Sequence, residues 1–152
     1  GLDVNFGRAF AKSQIATGIN LPSKGNIFIS VKNKDKPFIK IICKRLVKLG
    51  FKLVCTKGTG NFLKAEKINV NFVNKVIEGR PHIVDMIKNK NIALIFNTTE
   101  GNQSISDSFS LRQAALHTNV PYYTTISGCK SVLLALENLN ENNLDIKSLQ
   151  SY

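Results

Sequence analysis

The sequence predicts an α/β domain built on a mostly parallel sheet with helices on both faces. Short β-branched and aromatic runs alternate with helix-like stretches from residue 26 onward, the pattern of repeated strand–helix–strand units. The run Ile92-Ala93-Leu94-Ile95-Phe96 is apolar throughout, as a strand covered on both sides must be. Connections of this kind return each strand parallel to the last through right-handed crossovers.

The elements follow in order. Phe6 to Gly18 reads as a helix with Phe6, Ala9, Phe10, Ile15 and Ala16 apolar, ending at a glycine. Leu21-Pro22-Ser23-Lys24-Gly25 is a linker or boundary. A lone helix ahead of a linker has little to pack on, so residues 1–23 are expected to belong to a neighbouring domain and 24–152 to form the domain itself. The first residue is Gly rather than Met, which suggests a segment of a longer chain. Ile27–Val31 is a strand. Pro37–Leu49 is a helix, with Pro37 in its first turn and Gly50 just past its end. Phe51–Cys55 is a second strand, Thr59–Lys67 a short helix and Val70–Val73 a short third strand. Pro81–Lys88 is a helix with Ile83, Met86 and Ile87 on one face. Ile92–Asn97 is the strongest strand. Ser106–Thr118 is a helix, Val120–Thr125 the last strand and Gly128–Leu139 the last helix. The polar tail from Asn140 is expected to be loosely held.

The chain has 152 residues, of which 43% are hydrophobic and 20% charged, within the range of one soluble globular domain. Such a chain buries roughly 70% of its unfolded surface. Its longest apolar runs are far too short to cross a bilayer, and the N-terminus has no signal-peptide pattern. Cys43, Cys55 and Cys129 are far apart and odd in number, so buried free thiols in a reducing cytosol are expected, with no metal-ligand spacing. The net charge is +11. The lysines are scattered, and asparagine and isoleucine are abundant with them, which reflects compositional bias. No nucleic-acid partner is expected, because such binders concentrate charge and interleave aromatics. A general positive field still favours anionic ligands.

In parallel sheets ligands bind beyond the C-terminal strand ends, where strand order reverses. Residues 32–36, 56–60, 97–101 and 124–128 are such ends. Two of them carry hydroxyls, small residues and an amide: Thr56-Lys57-Gly58-Thr59-Gly60 and Asn97-Thr98-Thr99-Glu100-Gly101. Glycines admit a ligand close to the backbone, and hydroxyls and free amides bond to it. Thr56 and Thr59 either clamp a phosphate or cap the following helix. Lys36 either reaches that phosphate or is one solvated lysine among many. Lys75, between Val73 and Val76, reads as an inward lysine, costly unless it meets an anion. Asn97, Thr98 and Thr99 suit a base, ribose or phosphate, or satisfy their own turn. His82 and His117 have no nucleophile at a recognisable spacing, and Glu78, Asp85, Glu100 and Asp107 form no catalytic pair or metal cage.

The chain resembles the C-terminal end of the carbamoyl-phosphate synthetase large subunit. The resemblance rests on Phe6-Gly7-Arg8-Ala9-Phe10-Ala11-Lys12-Ser13-Gln14 with Gly18, Leu21-Pro22 and Gly25, on Thr56-Lys57-Gly58-Thr59, and on Val73-Asn74-Lys75-Val76 with Glu78-Gly79-Arg80-Pro81-His82-Ile83. Asn97-Thr98-Thr99 with Gly101, Asp107-Ser108, Arg112 and Tyr122-Tyr123-Thr124-Thr125 complete it, up to about Leu139. It implies a three-layer methylglyoxal-synthase-like fold of about five strands with a regulatory, non-catalytic role. It implies nucleotide effectors (UMP or IMP) at Lys36, Thr56, Thr59, Lys75, Asn97, Thr98, Thr99 and Ser108. It places ornithine, an activator in some members, at Tyr122 and Thr124. The first residues resemble the close of the second synthetase half. The parent enzyme is a cytoplasmic ligase serving pyrimidine and arginine synthesis. It uses ATP with Mg or Mn, none of it in this segment, and works with a small glutaminase subunit and the rest of the large subunit. Members associate through this domain, so a homo-oligomer is an expectation too.

Departures are Lys57 where relatives often have histidine, Gly60 for alanine, Asn102-Gln103 for basic residues and Lys130 after Gly128-Cys129. The alternative is a stand-alone methylglyoxal-synthase-type lyase acting on a triose phosphate. That family relies on aspartates beside its phosphate site, and Thr98-Thr99-Glu100-Gly101 lacks the corresponding one. A third reading is a basic nucleic-acid-binding module.

Overall fold

In the computed structural model, which describes residues 1–141, 144, 148 and 150, α1 (Phe6–Ala16) leads into β1 (Asn26–Ser30), α2 (Lys36–Lys48) and β2 (Lys52–Cys55). Then come α3 (Lys57–Ala65), β3 (Asn71–Phe72), α4 (Ile83–Lys88) and β4 (Leu94–Asn97). α5 (Asn102–Asp107), α6 (Phe109–His117), β5 (Tyr122–Tyr123) and α7 (Ile126–Glu141) complete the chain. The strands form one parallel five-stranded sheet in the order β3-β2-β1-β4-β5. The chain winds outward from β1 to β3, then crosses back to β4 on the other side of β1, so strand order reverses between β1 and β4.

Side chains alternate across the sheet and fill two separate cores. On one face Ile27, Ile29, Leu53, Leu94 and Phe96 pack against Ile39, Ile42 and Leu46 of α2, Leu63 of α3 and Val132, Leu133 and Leu136 of α7. Cys43, Cys55 and Cys129 are buried, unpaired, on this face. On the other face Phe28, Val54 and Ile95 meet Ile83, Val84 and Ile87 of α4 and Leu111, Ala114 and Ala115 of α6. Among the described residues no helix is long and apolar enough to cross a membrane.

Several elements differ from expectation. α1 is not short of a partner: it lies along α7, with Ala11 fully buried. Gly7 makes this possible, because a Cβ there would come within 2.6 Å of the Leu134 carbonyl oxygen. The Tyr123 hydroxyl donates to Gln14 Oε1 at 2.7 Å, and Asn5 Nδ2 donates to Asn138 Oδ1 at 3.0 Å. The helix expected over 106–118 begins earlier and breaks at Ser108, whose hydroxyl donates to the Ser104 carbonyl at 2.8 Å; such back-bonding competes with regular helix geometry. α4 starts at Ile83 because His82 is still extended, its amide donating to Asp85 Oδ2 at 3.0 Å. β5 is short because Pro121 has no N–H and the Thr125 hydroxyl already accepts the Gly128 amide at 3.1 Å. α7 carries through Asn140 to Glu141; the remainder of the tail lies mostly outside the described residues.

Candidate functional site

The reversal of strand order opens a cleft of about 400 Å³ above the C-terminal ends of β1, β2 and β4. This is where an open parallel sheet receives ligands, since neighbouring crossovers leave in opposite directions there. Thr56, Lys75, Asn97, Thr98, Thr99 and Ser108 all line it. The turns after three strands and the 3₁₀ turn Val76–Glu78 thus bring together residues far apart in sequence.

Some hydroxyls hold the walls. The Val31 amide donates to Thr59 Oγ1 at 3.0 Å and the Lys32 amide donates to Thr98 Oγ1 at 3.1 Å. Threonines from the turns after β2 and β4 therefore fix the turn after β1 from both sides. Thr56 Oγ1 lies 3.1 Å from Ser30 Oγ, tying β2 to β1 at the cleft floor. No side chain caps α3 at its start, so its first-turn amides and positive end face the region of Thr56.

Two of the expected nucleotide-site residues, Thr59 and Lys36, stand apart from the lining. Thr59 is buried and committed to Val31. Lys36 opens α2, and its ammonium sits 6.0 Å from the centre of the Phe62 ring. The first turn of α2 draws it away from the rim, whereas Lys32, directly beyond β1, lines the cleft. Lys75 is exposed at the mouth rather than inward, so the cost of burying a charge does not apply to it. Its amide is held by Glu78 Oε2 at 2.7 Å.

Sequence reasoning passed over Ser30, Lys32, Asn33, Glu100 and Ser104 as individual wall residues. For Ser30, Lys32, Asn33 and Glu100 the signal was position near the end of β1 or β4, whereas Ser104 reaches the wall from within α5. Glu100 pairs with Lys34 at 3.2 Å, both exposed, joining the turns after β1 and β4 at the rim.

Tyr122 and Thr124 are not part of the lining. Thr124 is exposed. Tyr122 stands behind the wall: Asn97 Nδ2 donates to its hydroxyl and also to Ser108 Oγ, the latter at 3.0 Å. The Arg112 guanidinium lies 6.0 Å from the Tyr122 ring centre.

Away from the cleft, burial pushes the Cys55 and Cys129 thiols up to about 12, which keeps them protonated and unreactive. His82 is buried beside Asp85; the His82 amide lowers the Asp85 carboxyl below its ordinary value. Among the described residues no group of His, Cys, Asp or Glu is arranged to hold a metal ion.

Comparisons with known proteins agree with this architecture. The family described as MGS-like domain matches residues 39–124. The carbamoyl phosphate synthase large chain of Rhizobium meliloti (strain 1021) is 46% identical over 152 residues, all of this chain and 13% of that protein. The large chain of Myxococcus xanthus (strain DK1622) is 47% identical over the same length, 14% of its own. The chain therefore spans about 13% of the length of these relatives. The methylglyoxal synthase of Elizabethkingia anophelis shares the fold at a TM-score of 0.61 and 15% identity, covering 76% of this chain and 80% of that one. With more than half its residues matched by the family model, the chain belongs to the MGS-like domain family.

Proposed function

We propose that this is the regulatory, effector-binding domain of a carbamoyl phosphate synthase large chain, and that its cleft takes a nucleoside monophosphate. The observation that carries this is the convergence of Thr56, Lys75, Asn97, Thr98 and Thr99 on one cleft in a chain similar along its whole length to such large chains. The cations Lys32 and Lys75 and the uncapped start of α3 suit a phosphate. In this reading residues 1–23 continue from the preceding synthetase half. The partners are the rest of the large subunit, the glutaminase subunit and small effectors, in the cytoplasm. ATP with Mg or Mn acts elsewhere in the parent ligase, which supplies carbamoyl phosphate for pyrimidine and arginine synthesis. Ornithine is a second effector at Tyr122 and Thr124. Effector binding controls the enzyme only if it differs between two docking states of the domain; such coupling is typically about 1–3 kcal/mol.

The test is calorimetric titration of the chain with UMP, IMP and ornithine. Binding of a mononucleotide is expected, weakened about tenfold by Lys75→Ala, because a hydrogen bond to a charged group contributes about 1.5–3 kcal/mol and Lys75 is partly screened by solvent. Failure of UMP and IMP to bind would reject the reading. The lyase alternative draws on the shared fold alone. It predicts phosphate release from dihydroxyacetone phosphate, and no turnover above background is expected.

A further inference from the structure

Away from the cleft, the outer side of α2 and α7 carries cations with no acid to meet. Lys34 pairs with Glu100, Lys40 with Glu66 and Arg45 with Glu137. Lys44 and Lys48 of α2 and Lys130 of α7 are exposed, and none of the three is in an ion pair among the described residues. They surround two apolar side chains that the fold leaves in water: Phe38 is 49% exposed and Ile41 58%. Residues three and four apart are neighbours on a helix surface. Ile41 therefore has Phe38 on one side along α2 and Lys44 on the other, with Lys48 a further turn on. Lys130 reaches over from α7, its ammonium 5.5 Å from the centre of the Phe38 ring. The stripe from Phe38 to Lys48 is about 15 Å long at the rise of an α-helix.

Nothing within the domain calls for this arrangement. The inward face of α2 already buries Ile39, Ile42, Cys43 and Leu46. An apolar side chain left in water gains nothing from folding, and the like charges of Lys44 and Lys48, four apart, repel. We infer that the outward face of α2, with Lys130, is a docking surface for an acidic amphipathic helix of a partner protein. Phe38 and Ile41 meet the apolar side chains of that helix, and Lys44, Lys48 and Lys130 meet its carboxylates. Charge selects this occupant. Glu137, the acid that α7 brings to α2, is already taken by Arg45. A second copy of the chain would set the same cations against each other, and with a net charge of +11 it is repelled. A membrane surface asks for a longer apolar face than two side chains. A single-stranded nucleic acid asks for an open aromatic face to stack on, and Lys130 stands over that of Phe38. None of these residues lines the cleft, so the surface does not depend on the nucleotide reading.

The test is fluorescence anisotropy with the whole chain, whose two cores close within the described residues. Two labelled peptides of equal length and charge are the probes. One is rich in Glu with Leu at alternating three- and four-residue spacing. The other has Ala in place of every Leu, which keeps its helix propensity. The wild type is expected to bind the Leu peptide about tenfold or more tightly than the Ala peptide, the factor that burial of one large apolar side chain supplies. Phe38→Ser and Ile41→Ser leave the charge unchanged, and in each the preference falls towards unity. Both positions are half exposed, and should one variant fail to fold the other decides. Lys44→Ala combined with Lys48→Ala weakens both peptides alike and leaves their ratio as it was. Equal affinity of the wild type for the two peptides means attraction by net charge alone and overturns the inference. A ratio unchanged in the serine variants, or affinities unchanged in the lysine variant, overturns it as well. If Ile41→Ser weakens binding to phosphatidylserine vesicles or to oligothymidylate and not to the Leu peptide, the face serves that other partner and the inference fails.

Discussion

The buried hydroxyls of Thr59 and Thr98 accept the backbone amides of Val31 and Lys32. A buried amide left without a partner costs about 1–3 kcal/mol, so these two side chains are structural supports of the cleft before any ligand arrives. Their residue type was legible in the sequence; their partners were not, because hydrogen bonds across 28 and 66 positions depend on strand order. Lys36 illustrates the same limit. A basic residue after a strand is visible in a sequence, but which lysine of a short run stays on the rim depends on where the helix starts. A separate residue-scale prediction concerns Asp3. Lys12 and Arg8 hold its carboxyl at about 2, below the ordinary 3.8. A depressed carboxyl contributes stability above its unfolded value and loses it as pH falls through its folded one. The stability advantage of the wild type over Asp3→Asn should therefore be full above pH 4 and shrink between 3.8 and about 2. Thermal melts of both proteins across that range check it.

At the scale of elements, the contact between α1 and α7 depends on one missing side chain. A Cβ at position 7 would press on the Leu134 carbonyl and on Asn138 Nδ2, at 2.6 and 2.5 Å. Both neighbours belong to a helix that is itself packed on the sheet, so α1 must move instead. Gly7→Val should cost about 1–3 kcal/mol in urea denaturation, the usual penalty of overpacking, with protection of the α1 amides in hydrogen exchange lost first. Periodicity made the helix itself legible, and its alternating strand–helix pattern made the sheet legible as well. Packing partners were harder to read, since α1 meets α7 across more than a hundred residues. The break at Ser108 and the shortness of β5 arose from local hydrogen bonds competing with regular structure, which propensity does not rank.

For the molecule as a whole, the reversal of strand order between β1 and β4 matters most. It gathers turns from separate crossovers over one opening, and the rigid sheet beneath holds them in register. A ligand bound only by the folded form then stabilises every strand at once. At a concentration 100-fold above its dissociation constant the gain is about 2.7 kcal/mol. In a domain of this size that raises the melting temperature by about 5–11 °C. Differential scanning calorimetry with and without UMP should show this shift; binding without it would mean that the ligand also stabilises an unfolded or partly folded form.

At the opposite end of the sheet the bends lie away from the cleft. There the helices hand over to the strands through tight bends at Gly50, Lys67, Lys90 and Asn119, each with a positive φ. Lys90 is exposed, and none of the four lines the cleft. A fluorescent reporter grafted at Lys90 should therefore leave mononucleotide affinity unchanged in calorimetric titration, whereas Gly50 lies between Leu49 and Phe51, which face the Leu21-Pro22-Ser23 segment.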